Sequence, residues 1–121
     1  MTIEILFPKL CNQFGDSKNV DYLRFCLPQA QFVTTEITDQ TPYFSCHHVD
    51  MIYMGSMSEA AQLRVINWLA PYRIRIEELI EAGTVFLATG NAFEVFTQKI
   101  ENVTTHQSTE GLALFLSLIH I

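Results

Sequence analysis

Three cysteines and four histidines are the side chains of this 121-residue chain best suited to nucleophilic or metal chemistry. Cys46 stands beside His47 and His48, but adjacent residues do not converge on one ion, and no second ligand pair follows at metal spacing. We therefore expect a solvated loop there and no metal site. Cys11 could act as a nucleophile only with a base beside it. Cys26 is expected to be a small core residue.

Composition and charge narrow the functional classes open to the chain. Seven Lys and Arg against thirteen Asp and Glu give a net charge of −6, so we expect neither nucleic acid nor a membrane as partner. Apolar runs such as residues 112–116 are shorter than the ~20 residues of a membrane span, and Glu4 and Lys9 interrupt the N-terminal apolar segment before a signal peptide forms. An odd number of widely spaced cysteines is typical of free thiols in a reducing compartment. We therefore expect a cytoplasmic chain. We also expect no cofactor.

The elements that would position these residues alternate along the chain. Short apolar segments predict four strands, at residues 3–7, 31–37, 49–54 and 84–88. Helical spacing predicts helices at residues 16–27, 58–69, 72–82 and 91–99. Pro71 should separate the second helix from the third, Gly83 should end the third, and the charges of residues 73–81 indicate a solvated helix face. We predict one α/β domain, residues 1–121, with a parallel sheet and helices on both faces.

Ligands of such sheets bind at the carboxyl ends of the strands, which directs attention to residues 8–19, 55–58 and 89–91. The first of these loops reads Pro8-Lys9-Leu10-Cys11-Asn12-Gln13-Phe14-Gly15-Asp16-Ser17-Lys18-Asn19. Gly15 and Asp16 could form an ordinary turn and helix cap. A functional interpretation of this loop therefore requires that the two later loops show the same pattern.

The first loop resembles the Tyr-Pro…Asn-x-Tyr-Gly-Asp-x-x-Asn opening of the cobyric-acid-synthase-like glutamine amidotransferases. This class I branch includes the glutaminase subunit of lipid II isoglutaminyl synthase. The matching positions are Pro8, Asn12, Gly15, Asp16 and Asn19, and Phe14 replaces the aromatic residue. The second loop corresponds to a glycine-rich turn that aims backbone N–H groups at an oxyanion. Gly55 is retained there, whereas Ser56 and Met57 carry side chains.

The third loop corresponds to the nucleophile elbow of that family, Leu-Ala-Ile-Cys-Gly-Gly-Tyr-Gln. Gly90 stands at the position of the cysteine, so the chain offers no nucleophile there. The adjacent Thr89 should point to the other side of the strand end. The catalytic histidine of the family lies beyond the end of this chain, and neither His106 nor His120 matches it by context.

The resemblance extends from residue 2 to about residue 115, through Glu110-Gly111-Leu112-Ala113-Leu114, which looks like the strand after the elbow helix. It implies a flavodoxin-like, class I amidotransferase-like fold, present here as a truncated N-terminal part. The family releases ammonia from glutamine for a partner, in this branch a Mur-ligase-like synthetase acting on a cell-wall precursor or a corrinoid amide synthetase.

Because Gly90 replaces the nucleophile, we expect no catalytic residue in this chain. The alternatives are a catalytically silent paralogue that binds a ligand or holds a partner, and a nonfunctional fragment. The residues expected to contact glutamine or a small anion lie at the strand ends; they are Asn12, Gly55, Ser56, Thr89, Gly90 and Asn91.

Overall fold

The computed structural model describes residues 1–102 and 104–120 of the chain. At its centre is a parallel sheet of four strands, Thr2–Leu6 (β1), Gln31–Thr35 (β2), Met51–Met54 (β3) and Val85–Ala88 (β4). The strands lie in the order β2-β1-β3-β4, and Leu6, Met54 and Ala88 stand in register at their carboxyl ends. The predicted parallel α/β sheet is confirmed. The first strand begins and ends one residue earlier than predicted, and it ends before Phe7 because Phe7 takes a positive φ of 52°.

Three α-helices, Ser17–Cys26 (α1), Glu59–Leu69 (α2) and Arg73–Glu81 (α3), follow the predicted pattern. The Ser58 hydroxyl accepts a hydrogen bond from the Ala61 amide (3.2 Å) and caps α2. Pro71 lies in the short 3₁₀ turn that separates α2 from α3, and Gly83 follows α3 with a φ of 95°. Within the described part of the chain, no helix is long and apolar enough to cross a membrane.

Alternate residues of a strand point to opposite faces of the sheet. Helices cover both of these faces. On one face, Ile3, Ile5 and Tyr53 pack against Val20 of α1. On the other, Ile52 packs among the buried residues of α2 and α3. This arrangement is compatible with a flavodoxin-like fold.

The predicted helix over residues 91–99 is wrong. The chain instead forms a 3₁₀ helix over Gly90–Phe96 and then the strand Thr97–Asn102 (β5). The hydroxyl of the buried Thr97 donates to the Glu94 carbonyl (2.6 Å), and the chain turns there into extended backbone. Two further strands, Gln107–Glu110 (β6) and Phe115–His120 (β7), pair with β5 in a second sheet, in the order β6-β5-β7. The pairing of β5 with β6 and β7 thus stabilises a strand where the local sequence pattern predicts a helix.

The solvated face expected for residues 73–81 is present in part. Arg73 forms an ion pair with Glu77 (3.1 Å), but the arginines of this helix also contact backbone carbonyls. Arg73 Nε donates to the Leu112 carbonyl (2.7 Å), and its Nη2 donates to the Ala113 carbonyl (3.1 Å). Arg75 Nε donates to the Phe44 carbonyl (2.9 Å). The guanidinium of Arg73 thus fastens the segment that leads into β7, and that of Arg75 fastens the segment before β3.

Candidate functional site

The loops after β1, β3 and β4 meet at the carboxyl edge of the parallel sheet. The Gln13 amide donates to the Ser56 carbonyl (3.2 Å). The side-chain amide of Asn91 bridges to the Met57 backbone, accepting from its N–H (2.9 Å) and donating to its carbonyl (2.7 Å). The Thr89 amide donates to the Met54 carbonyl (3.1 Å). The structure therefore brings together five of the predicted contact residues, namely Gly55, Ser56, Thr89, Gly90 and Asn91.

Asn12, the sixth predicted residue, lies exposed at the entrance to α1. Its Oδ1 accepts a hydrogen bond from the Ser17 amide (2.8 Å). Asp16 stands at the N-cap position of α1, but its side chain makes no capping hydrogen bond. Asn12 therefore satisfies the first N–H of the helix, and the expected side-chain cap by Asp16 does not form.

The Asp16 carboxylate points instead to the strand ends, where it is 7% exposed. Its Oδ2 accepts from the Ser56 hydroxyl (2.6 Å) and the Phe14 amide (3.2 Å), and its Oδ1 accepts from the Thr89 hydroxyl (2.9 Å). Three loops are thus joined through one carboxylate. We refer to Asp16, Ser56 and Thr89 as the carboxylate cluster.

The environment of Asp16 favours its ionised form. Burial by itself raises the pKa of this carboxyl. The hydrogen bonds from the hydroxyl and amide of Ser56, from the Thr89 hydroxyl and from the Phe14 amide outweigh burial, so the pKa lies below its ordinary value. Asp16 is therefore an anion at neutral pH, held by hydrogen-bond donors.

Tyr53 extends this cluster beneath the sheet edge, and the sequence reasoning missed it. Its hydroxyl donates to the Asp16 carbonyl (3.2 Å), accepts from Asn19 Nδ2 (3.0 Å) and lies 3.3 Å from the Thr89 hydroxyl. The available signal was a tyrosine in an otherwise apolar strand, two residues before Gly55. A buried phenol needs a polar partner, and the strand end provides one.

Gly55 and Gly90 mark the two closest approaches at this edge. A Cβ atom on Gly55 would lie 2.5 Å from the Cys11 carbonyl oxygen and 2.6 Å from the Asp16 Cβ. Gly90 has a φ of 57°, and a Cβ there would lie 2.8 Å from the Ser56 Cβ. A left-handed residue on a sharp turn after a strand is the geometry of a nucleophile elbow. In this chain the turn has no side chain, and Ser56 fills the space that a side chain would need.

No thiol at the strand ends is poised to react. Cys11 is 3% exposed, and its Sγ contacts the sulfur of Met57 at 3.8 Å. Burial, followed by the nearby charges of Asp16 and Glu36, raises the pKa of the Cys11 thiol to about 12. The Cys11 side chain therefore stays a neutral thiol at physiological pH.

Cys26 and Cys46 are exposed thiols outside the carboxylate cluster. Cys26 is exposed at the end of α1, which corrects the expectation of a core residue, because α1 turns only Val20 fully inward. Cys46 is exposed as expected for a solvated loop, and the ring of the exposed His47 stacks on Tyr43 at 4.1 Å.

Neither models of protein families nor curated protein sequences match the chain. Binding of glutamine or a small anion by the strand-end residues stays a prediction. The functional inference therefore rests on the geometry of these loops.

Proposed function

We propose that the chain is a catalytically silent relative of the class I glutamine amidotransferases, with a framework at its strand ends but no reacting group. In this role it would serve as a binding or scaffolding subunit for a Mur-ligase-like or corrinoid amide synthetase. The observation that carries the proposal is the turn at Gly90, which has the left-handed backbone of a nucleophile elbow but faces the side chain of Ser56.

Support for the family comes from the use that the fold makes of the motif residues in the first loop. Asn12 accepts from the first turn of α1, Asn19 donates to the buried Tyr53 hydroxyl, and Asp16 joins the loops after β3 and β4. Each polar motif position thus has a structural task that its side chain suits. A coincidental turn-and-cap pair would not require the asparagines as well.

Support for the loss of catalysis comes from the described residues at the strand ends, where neither the thiol nor the hydroxyls are paired with an effective base. Thiol chemistry needs a thiolate, and Cys11 is buried with a raised pKa. The Thr89 hydroxyl donates to Asp16, and the Ser56 hydroxyl is 2.6 Å from the same carboxylate. Both hydroxyls are engaged with an anion whose lowered pKa makes it a weak base.

The first test is glutamate release from glutamine by the purified chain. We expect no release above the buffer control for the wild type, for Cys11→Ala or for Gly90→Cys, because Gly90→Cys supplies a thiol without a base. Turnover in the wild type that is lost in Cys11→Ala would overturn the silent assignment and identify Cys11 as the nucleophile.

The second test concerns the role of the chain. A purified Mur-ligase-like synthetase encoded in the same genome is mixed with the chain and run on size-exclusion chromatography with light scattering. Co-elution as a defined complex supports a scaffolding subunit, whereas separate elution favours a nonfunctional fragment.

Amide hydrogen exchange at residues 89–92 with and without saturating glutamine tests ligand binding separately. Slower exchange that is lost in Gly90→Val would support the predicted glutamine contacts.

A further inference from the structure

The strand β4 forms an edge of the parallel sheet. Within the described chain, its strand partner is β3 alone. The Val85 amide donates to the Asp50 carbonyl (3.0 Å) and the Thr89 amide donates to the Met54 carbonyl (3.1 Å). Because successive residues of a strand direct their backbone groups to opposite sides, the N–H and C=O of Phe86 and Ala88 turn away from β3.

This edge lacks the features that protect an open strand in natural sheets. Charged residues, prolines and bulges normally prevent an edge from pairing with another chain. Residues 83–93 include neither a charged residue nor a proline, and the side chains of Val85 and Leu87 are 53% and 38% exposed. The opposite edge differs, because β2 exposes the polar Gln31 and Thr34.

An apolar cleft of about 190 Å³ adjoins β4 on the side of the 3₁₀ helix. Its lining combines the strand with the end of α3 and the 3₁₀ segment, through Ile80, Phe86, Leu87, Ala88, Phe93 and Phe96. Outward hydrogen-bonding groups and an adjoining apolar cleft together suit an added uncharged β-strand.

We propose that this strand is β4 of a second copy of the chain, paired antiparallel about a two-fold axis. In an antiparallel pair, residues that face the partner exchange two hydrogen bonds. Phe86 and Ala88 lie symmetrically about Leu87, so Phe86 of each copy pairs with Ala88 of the other, and the two Leu87 side chains meet on the axis. The large Phe86 side chain of each copy then lies beside the small Ala88 side chain of the other.

The second copy is favoured over an unrelated strand because β4 is complementary to itself. A charged strand paired about a two-fold axis places like charges near one another, which is destabilising. Residues 83–93 are free of such charges, so self-pairing has no electrostatic penalty within this stretch although each chain has a net charge of −6. The two parallel sheets would then join into one continuous sheet.

Cysteine cross-linking tests the register. In a Cys26→Ser, Cys46→Ser background, Leu87→Cys should give a disulfide-linked dimer on mild oxidation. Facing residues of this kind have Cα atoms about 4.5 Å apart, within the range of a disulfide. Val85→Cys in the same background is the matched control. It should not cross-link, because its position faces Thr89 of the second copy. Equal cross-linking of both variants, or of neither, would overturn the proposed pairing.

Light scattering tests the association without new cysteines. The wild type should be a dimer, and Leu87→Lys should weaken dimerisation about tenfold or more, because it places two like charges on the axis. Phe25→Lys alters a side chain that is 83% exposed on α1 and should leave the dimer unchanged. Far-UV circular dichroism of Leu87→Lys identifies a folding defect. A folded wild type that stays monomeric at about 100 μM would overturn the proposal.

Discussion

Asp16 is a buried carboxylate that is held by hydroxyl and amide donors. Such an anion is stable only while its donors stay in place, because an unsatisfied buried charge is costly. Asp16 is consequently the one side chain of this site whose carboxylate contacts residues of all three strand-end loops.

We expect Asp16→Asn to destabilise the chain by about 1–3 kcal/mol near neutral pH, because it replaces a charged acceptor with a group that must also donate. The folded-state pKa of Asp16 is lowered, so its contribution is present above the unfolded-state pKa and lost as the pH falls through the folded-state value. Urea unfolding near pH 7 and at about pH 3 measures this. Asp21→Asn, on the exposed face of α1, is the control. An equal deficit at both pH values would contradict the argument.

Gly90 provides a second prediction at the scale of the residue. Gly90→Cys should destabilise the chain, because a side chain must adopt a φ of 57° and approach Ser56 too closely. Ser56→Gly should recover part of that loss, with a favourable coupling of about 0.5–3 kcal/mol in a double-mutant cycle.

Gly83→Cys is the matched control for this cycle. Gly83 also has a positive φ, but a Cβ there would meet no atom within 4 Å. The loss of stability caused by Gly83→Cys should therefore be the same with serine or glycine at position 56. Chemical denaturation of the four variants of each cycle gives the coupling, and a coupling near zero for Gly90 would show that Ser56 is not the obstacle.

Within β1, Glu4 is a carboxyl in an otherwise apolar strand. It is 0% exposed, and its Oε2 accepts from the Thr35 hydroxyl (2.8 Å) and the Tyr43 amide (3.2 Å). Burial raises its pKa, and the hydrogen bonds from Thr35, Phe44 and Tyr43 offset this only in part. Because the cost of burying the charge exceeds the gain from these hydrogen bonds, folding is more favourable while Glu4 is neutral.

We expect the free energy of unfolding of Glu4→Gln to increase relative to that of the wild type as the pH rises. A carboxyl with a raised folded-state pKa favours folding at low pH, and this contribution is lost as the pH rises through that pKa. Thermal unfolding at about pH 5 and pH 8 measures the difference. Glu36→Gln, just after β2, is the control. A stability of Glu4→Gln that falls relative to that of the wild type as the pH rises would be contrary to this account.

Several elements could be predicted from the sequence because their signals are local. The four strands of the parallel sheet were visible as short apolar runs, and Ser58, Pro71 and Gly83 marked helix ends. The strand β5 was missed because its partners β6 and β7 stabilise it, and strand pairing leaves little trace in a local pattern. Asp16 was read as a helix cap for a similar reason, since its hydroxyl donors are 40 and 73 positions away.

At the scale of the molecule, Arg73 links α3 to the segment that leads into the second sheet. Arg73→Lys should speed amide exchange in β5 and β6 several-fold, because a lysine cannot donate to both carbonyls in the same fork geometry. Arg64→Lys, on the exposed side of α2, is the control. Equal exchange in the two variants would mean that the Arg73 hydrogen bonds do not stabilise the second sheet.

The short distance between position 90 and Ser56 has a consequence for the order in which substitutions could be accepted in evolution. A nucleophile gained first at Gly90 would be selected against as a folding defect before it could be selected for as a catalyst, because its Cβ would lie 2.8 Å from that of Ser56. Shrinkage of residue 56 would have to come first, and that step by itself offers no catalytic benefit. The gain of a reacting group at position 90 is therefore a two-step path whose first step brings no catalytic benefit.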